Sequence, residues 1–104
     1  METEELVEIT FRCSDHAYSR LFRKLGDERQ GDRLAAALTG LLDDEEAWPT
    51  IRLGKFKTPR GTMRNRKLRI PANLKRRFDA LAATVPVSAE LLVREAIHRY
   101  ITRA

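Results

Sequence analysis

Several things this chain has little of narrow what it can be. It holds one cysteine, Cys13, so no disulfide can close within it, and a lone thiol suits a reducing cytoplasm. No apolar run reaches eighteen residues, so no stretch reads as a membrane-spanning helix. The opening METEELVEIT is acidic and lacks a basic start followed by an apolar core, so it does not read as a secretory signal. Catalytic and metal motifs are missing too. Ser14, Asp15 and His16 are sequence neighbours, whereas a triad is assembled in space. Asp43-Asp44-Glu45-Glu46 lacks the spacing and glycine of a calcium loop, and Gly54-Lys55 lacks the spacing of a phosphate loop. His16 and His98 read as surface helix residues, and Cys13 as core packing. The expectation is a non-enzyme without metal or cofactor.

Acidic residues are scarce in one half only. Residues 1–50 carry six Lys and Arg against twelve Asp and Glu, and residues 51–104 carry fourteen against three. The whole chain is basic, at +5. A basic half in a small protein points to a polyanion, most commonly nucleic acid. At 104 residues, 42% hydrophobic and 34% charged, the chain is long enough for one globular domain and marginal for two independent cores.

The most informative stretch runs from Arg66 to Ile101. In Arg66-Lys67-Leu68-Arg69-Ile70-Pro71, apolar and charged residues alternate, which puts Leu68 and Ile70 on one face of a strand and Lys67 and Arg69 on the other. Pro71 lacks an amide hydrogen and suits a strand end. Asn73 is an expected N-cap for a helix with Leu74, Phe78, Leu81, Ala82 and Val85 on one stripe, ended by Pro86. Ser88 then caps a second helix with Leu92, Ala96, Ile97, Tyr100 and Ile101 inward.

The first half repeats this order without repeating the residues. Val7, Ile9, Phe11 and Cys13 alternate with Glu8, Thr10 and Arg12. Ser14 or Asp15 caps a helix with Ala17, Tyr18, Leu21, Phe22 and Leu25 on one stripe, and Gly26 is its expected stop. DERQG reads as a turn. Asp32 reads as the cap of a further helix that buries Leu34, Ala35, Leu38, Leu41 and Leu42. Between the halves, residues 43–65 hold Pro49, Gly54, Pro59 and Gly61, the marks of a linker with turns. Trp48 is expected to pack this linker onto the helices. Thr50 to Lys57 alternates weakly, as a short strand would. Arg52, Lys55, Lys57, Arg60 and Arg64 form a basic run that suits either a phosphate backbone or solvent.

The pattern of basic alternating strand, proline, helix, turn, serine and helix resembles the ribbon-helix-helix family of DNA-binding proteins, the Arc-, MetJ- and CopG-like group. The likeness covers about a third of the chain directly and extends to the rest through the repeated order. It implies a mainly α fold with one two-stranded antiparallel β-ribbon. Here that ribbon would form inside one chain, as an intrachain pseudodimer of units 6–43 and 65–102 joined by a basic linker, 44–64. The competing arrangement is a homodimer that pairs only through the C-terminal unit.

The resemblance further implies double-stranded DNA as partner, with base readout by Thr10, Arg12, Lys67 and Arg69. Phosphate would be held by Ser88 and Ala89 at one second-helix N-terminus, by Arg33 in the matching place of the first unit, and by Arg64 and Arg66. Asp32, beside Arg33, departs from the small or hydroxyl residue usual there. Tandem units in one chain are similar to TraY-type accessory proteins of conjugation and to T-DNA-transfer accessory proteins. The expected setting is then a bacterial cytoplasm, on nucleoid or plasmid DNA, with relaxosome or repressor partners. An antitoxin-type or copy-number autoregulator is the close alternative. A protein-interaction module that uses the acidic N-terminal half is the alternative from another class.

Overall fold

Two alternating stretches, far apart in sequence, meet as one sheet. In the computed structural model, which describes residues 5–52, 63–86 and 88–103, β1 (Leu6–Ser14) pairs antiparallel with β2 (Met63–Pro71). The register sets Ile9 opposite Leu68 and Val7 opposite Ile70. Residues directly opposite share a face, so Ile9, Phe11, Cys13, Leu68 and Ile70 form one buried layer. A two-stranded sheet is marginal alone, and here helices cover that layer. Phe78, Leu34, Leu38, Leu92 and Ile97 are all essentially inaccessible within the same core. Each such side chain contributes roughly 1.5–3 kcal/mol by leaving water.

The helices are α1 (Asp15–Leu21), α2 (Asp27–Asp43), α3 (Trp48–Arg52), α4 (Ala72–Ala82) and α5 (Ala89–Arg103). Their stripes are those the periodicity predicts, while several ends differ. Ser14 caps α1 by accepting from the Ala17 amide at 3.1 Å. The helix stops before its expected end at Leu25: the Phe22 amide closes on the Tyr18 carbonyl, and Lys24 takes the left-handed conformation at φ 64°. Gly26 is therefore not the stop of α1 but the residue that precedes α2, in extended backbone.

The largest correction is at the start of α2. DERQG is helix, not turn, so α2 begins at Asp27 and Asp32 lies inside it. The Gln30 amide bonds the Gly26 carbonyl at 2.9 Å, and the Gln30 side-chain amide bonds the Leu25 carbonyl at 2.7 Å. Glu28 in the first turn suits the positive end of the helix dipole. Gly31 disguises this turn, because glycine inside a helix costs about 1 kcal/mol relative to alanine. It is there because α2 crosses β2 at that point: a Cβ on Gly31 would lie 2.4 Å from the Arg69 carbonyl oxygen.

In the second half, α4 starts at Ala72, directly after Pro71, and its first amide bonds the Glu5 carbonyl at 2.9 Å. Asn73 is thus in the first turn and not the cap; its side chain accepts from Arg76. The α4 helix closes at Ala82, four residues ahead of Pro86, where the Thr84 hydroxyl bonds the Leu81 carbonyl. Ser88 caps α5 as expected, accepting from the Leu91 amide at 3.3 Å. The short α3 occupies ground read as linker and weak strand. Ile51 is fully buried, and Trp48 packs on the core with its indole N–H on the Leu41 carbonyl. Residues 53–57 of the expected strand lie outside the described residues.

The strand and first helix of each half have the same spacing. β1 and β2 start at residues 6 and 63 and end at 14 and 71, and α1 and α4 start at 15 and 72, a constant offset of 57. In α2 the buried set is Leu34, Ala37, Leu38, Leu41 and Leu42. In α5, Val93, Ala96 and Ile97, with the half-buried Tyr100 and Ile101, follow the same steps of three, one, three and one, and Leu92 and Glu95 are buried beside them.

Candidate nucleic-acid interface

The face of the ribbon that turns away from the core is set by the same parity that buries Ile9 and Leu68. Between the end pairs Leu6–Pro71 and Ser14–Met63 it presents three polar cross-strand pairs: Glu8 with Arg69, Thr10 with Lys67, and Arg12 with Asn65. All six residues are exposed. The four residues expected to read bases, Thr10, Arg12, Lys67 and Arg69, therefore share one surface. Four residues along a strand separate the Arg12 row from the Arg69 row, roughly 14 Å at 3.4 Å per residue. A two-stranded ribbon fits the DNA major groove, which is about 12 Å wide.

The two arginines sit in different surroundings. The Arg12 Nε donates to the Asn65 Oδ1 at 3.0 Å and lies 3.5 Å from the Glu90 Oε1. These contacts fix the base of the guanidinium and leave its two terminal nitrogens for another acceptor. Glu90, in the first turn of α5, also lies 3.5 Å from an Arg94 terminal nitrogen. Among the described residues, Glu8, Lys67 and Arg69 form no ion pair. An open groove of about 660 Å³ runs along this end of the ribbon, bounded by Glu8, Lys67 and Arg69 on the strands and by Glu28, Arg29 and Asp32 on α2. The two ends of the exposed face are thus flanked by the N-terminal turns of α2 and of α5.

The residues expected to hold phosphate scatter. Ser88 and Ala89 are exposed at the start of α5, as expected. Arg33 is exposed but lies in the second turn of α2, away from its N-terminus, because that helix starts at Asp27. Arg64 is exposed and paired with Asp15 at 2.9 Å. Arg66 is opposite Phe11, on the core side of the ribbon, and is half-buried with its guanidinium 3.8 Å from the centre of the Tyr18 ring. A cation over an aromatic face is attracted by the ring quadrupole, by up to about 2 kcal/mol when desolvated. Arg66 thus serves the fold here, and a phosphate contact would require it to leave Tyr18. The signal was present in the sequence: an alternation that buries Leu68 also turns Arg66 inward. Lys55, Lys57 and Arg60 lie outside the described residues.

Burial raises the Cys13 thiol pKa above its ordinary value, and the nearby Arg66 charge opposes this without overcoming it. Cys13 is a protonated core side chain at neutral pH, not a poised nucleophile. Among the described residues no group of three His, Cys, Asp or Glu side chains could hold a metal, and no helix is long and apolar enough to cross a membrane. Compared with family models, curated proteins and solved structures, the chain matches none.

Proposed function

We propose that this chain binds double-stranded DNA in a sequence-specific manner, with the β1–β2 ribbon in the major groove, as a ribbon-helix-helix protein whose two units lie in one polypeptide. The observation that carries the reading is the ribbon's outer face. It holds Thr10, Arg12, Lys67 and Arg69 together, with three cations against the single carboxylate of Glu8. A long exposed ribbon otherwise invites unwanted pairing, and a groove of matching width covers it.

The tandem-unit part is supported by the constant offset of 57 between the strands and first helices, and by the shared burial steps of α2 and α5. Arginine and lysine bond guanine O6 and N7, and threonine contacts the thymine methyl. The exposed start of α5, with Ser88 and Ala89, suits a backbone phosphate. The biological role on this reading is that of a plasmid or DNA-transfer accessory protein, or of a transcriptional repressor.

Salt titration of duplex affinity tests the reading. About six phosphate contacts lower affinity roughly a thousand-fold between 50 and 200 mM salt. Arg69→Ala should cost roughly 1–3 kcal/mol on a preferred site. Affinity that stays flat with salt would reject DNA as the partner.

A further inference from the structure

On the DNA reading above, we infer that the preferred site is non-palindromic at its centre and carries the same base type at its two outer positions. The register and the 57-residue offset together define a local two-fold axis through the Thr10–Lys67 pair. This axis relates Arg12 to Arg69, Glu8 to Asn65, and Thr10 to Lys67. In a ribbon built from two identical strands each related pair would hold one residue type, and the matching site would be a palindrome. Here only the arginines match.

The unmatched pairs differ in chemistry and not merely in size. Glu8 can only accept, which suits the cytosine N4 amino group; Asn65 both donates and accepts, which suits adenine N6 and N7. Thr10 offers a methyl to thymine, whereas Lys67 donates to guanine. The arginines favour guanine at both ends. Their rows lie roughly 14 Å apart along the ribbon. Asn65 is also partly engaged already, as the acceptor for Arg12. The Arg12 end is held in place by Asn65 and Glu90, whereas among the described residues Arg69 forms no ion pair. The ribbon therefore has a direction, and it would bind a duplex in one orientation.

The test is selection of duplexes from a random pool by the full chain, followed by titration of the winner and of its two palindromic derivatives, each made by mirroring one half. A winner with guanines at its outer positions and an asymmetric centre is expected. At least one palindromic derivative should bind about 5- to 150-fold more weakly, the range for losing one matched contact. Glu8→Asn combined with Thr10→Lys makes the outer face two-fold symmetric. Both positions are exposed, and this variant should shift its preference to the palindrome mirrored from the half that the Arg12–Asn65 row faces. A palindromic winner, or equal affinity for all three duplexes, would overturn the inference and leave DNA binding intact. Absence of any enrichment, with affinity insensitive to salt, would overturn both.

Discussion

Two glycines in one helix should respond to the same substitution with opposite signs. Gly31 and Gly40 both lie inside α2. Alanine in an unobstructed helix interior gains about 1 kcal/mol over glycine, and nothing lies within 4 Å of a Cβ built on Gly40. Gly40→Ala should therefore stabilise the fold by up to about 1 kcal/mol. At Gly31 the new methyl meets the Arg69 carbonyl oxygen at 2.4 Å and its carbon at 3.5 Å. That obstacle is backbone in the central sheet, so α2 and β2 must separate by roughly an ångström. Overpacking of this kind costs about 1–3 kcal/mol. A 2.4 Å approach to backbone belongs in the upper part of that range, about 2–3 kcal/mol, so after the helical gain Gly31→Ala should lose about 1–2 kcal/mol, which leaves the two variants roughly 2–3 kcal/mol apart. Urea unfolding followed by far-ultraviolet circular dichroism measures this, provided the slope with urea is unchanged. A Gly31→Ala protein as stable as the parent would show that α2 does not press on β2 as described.

Two further predictions concern the ribbon and its buried face. Because β1 and β2 pair within one chain, light scattering should return a mass near 12.0 kDa; twice that mass at low concentration would count against a self-contained single chain. Cys13 holds its proton to higher pH when folded than when unfolded. Its contribution to stability is full below the ordinary thiol range and declines as pH rises through the raised value. Moving from pH 7 to pH 10 should thus lower the urea midpoint more for the parent than for Cys13→Ala. Equal losses would mean that the thiol is not titrating in the core.

The helix stripes and strand faces were readable because burial imposes a period, and the period survives in the residue types. Ser14 and Ser88 were readable as caps because a short hydroxyl side chain reaches a free amide only at a helix start. The early start of α2 was hidden, since Gly31 imitates a turn and its reason is a strand almost forty residues away. The α3 turn was hidden for a related cause: Pro49 and Gly54 read as linker, and only contact with the core shows why Ile51 is buried. The place of Arg66 was less plain, because its charge suggested solvent while its parity set it on the core side of the ribbon.

The sequence by itself determined which residues alternate, which line a helix face, and that the cations gather in one half. Those are local properties, and they leave their mark on every few residues. Only the tertiary structure decided that the two strands pair with each other, that Thr10 stands opposite Lys67, and that, among the described residues, Arg12 is tethered while Arg69 is not. Those facts depend on contacts between segments more than fifty residues apart, and no local pattern encodes which distant segment will supply the other half of a shared apolar layer.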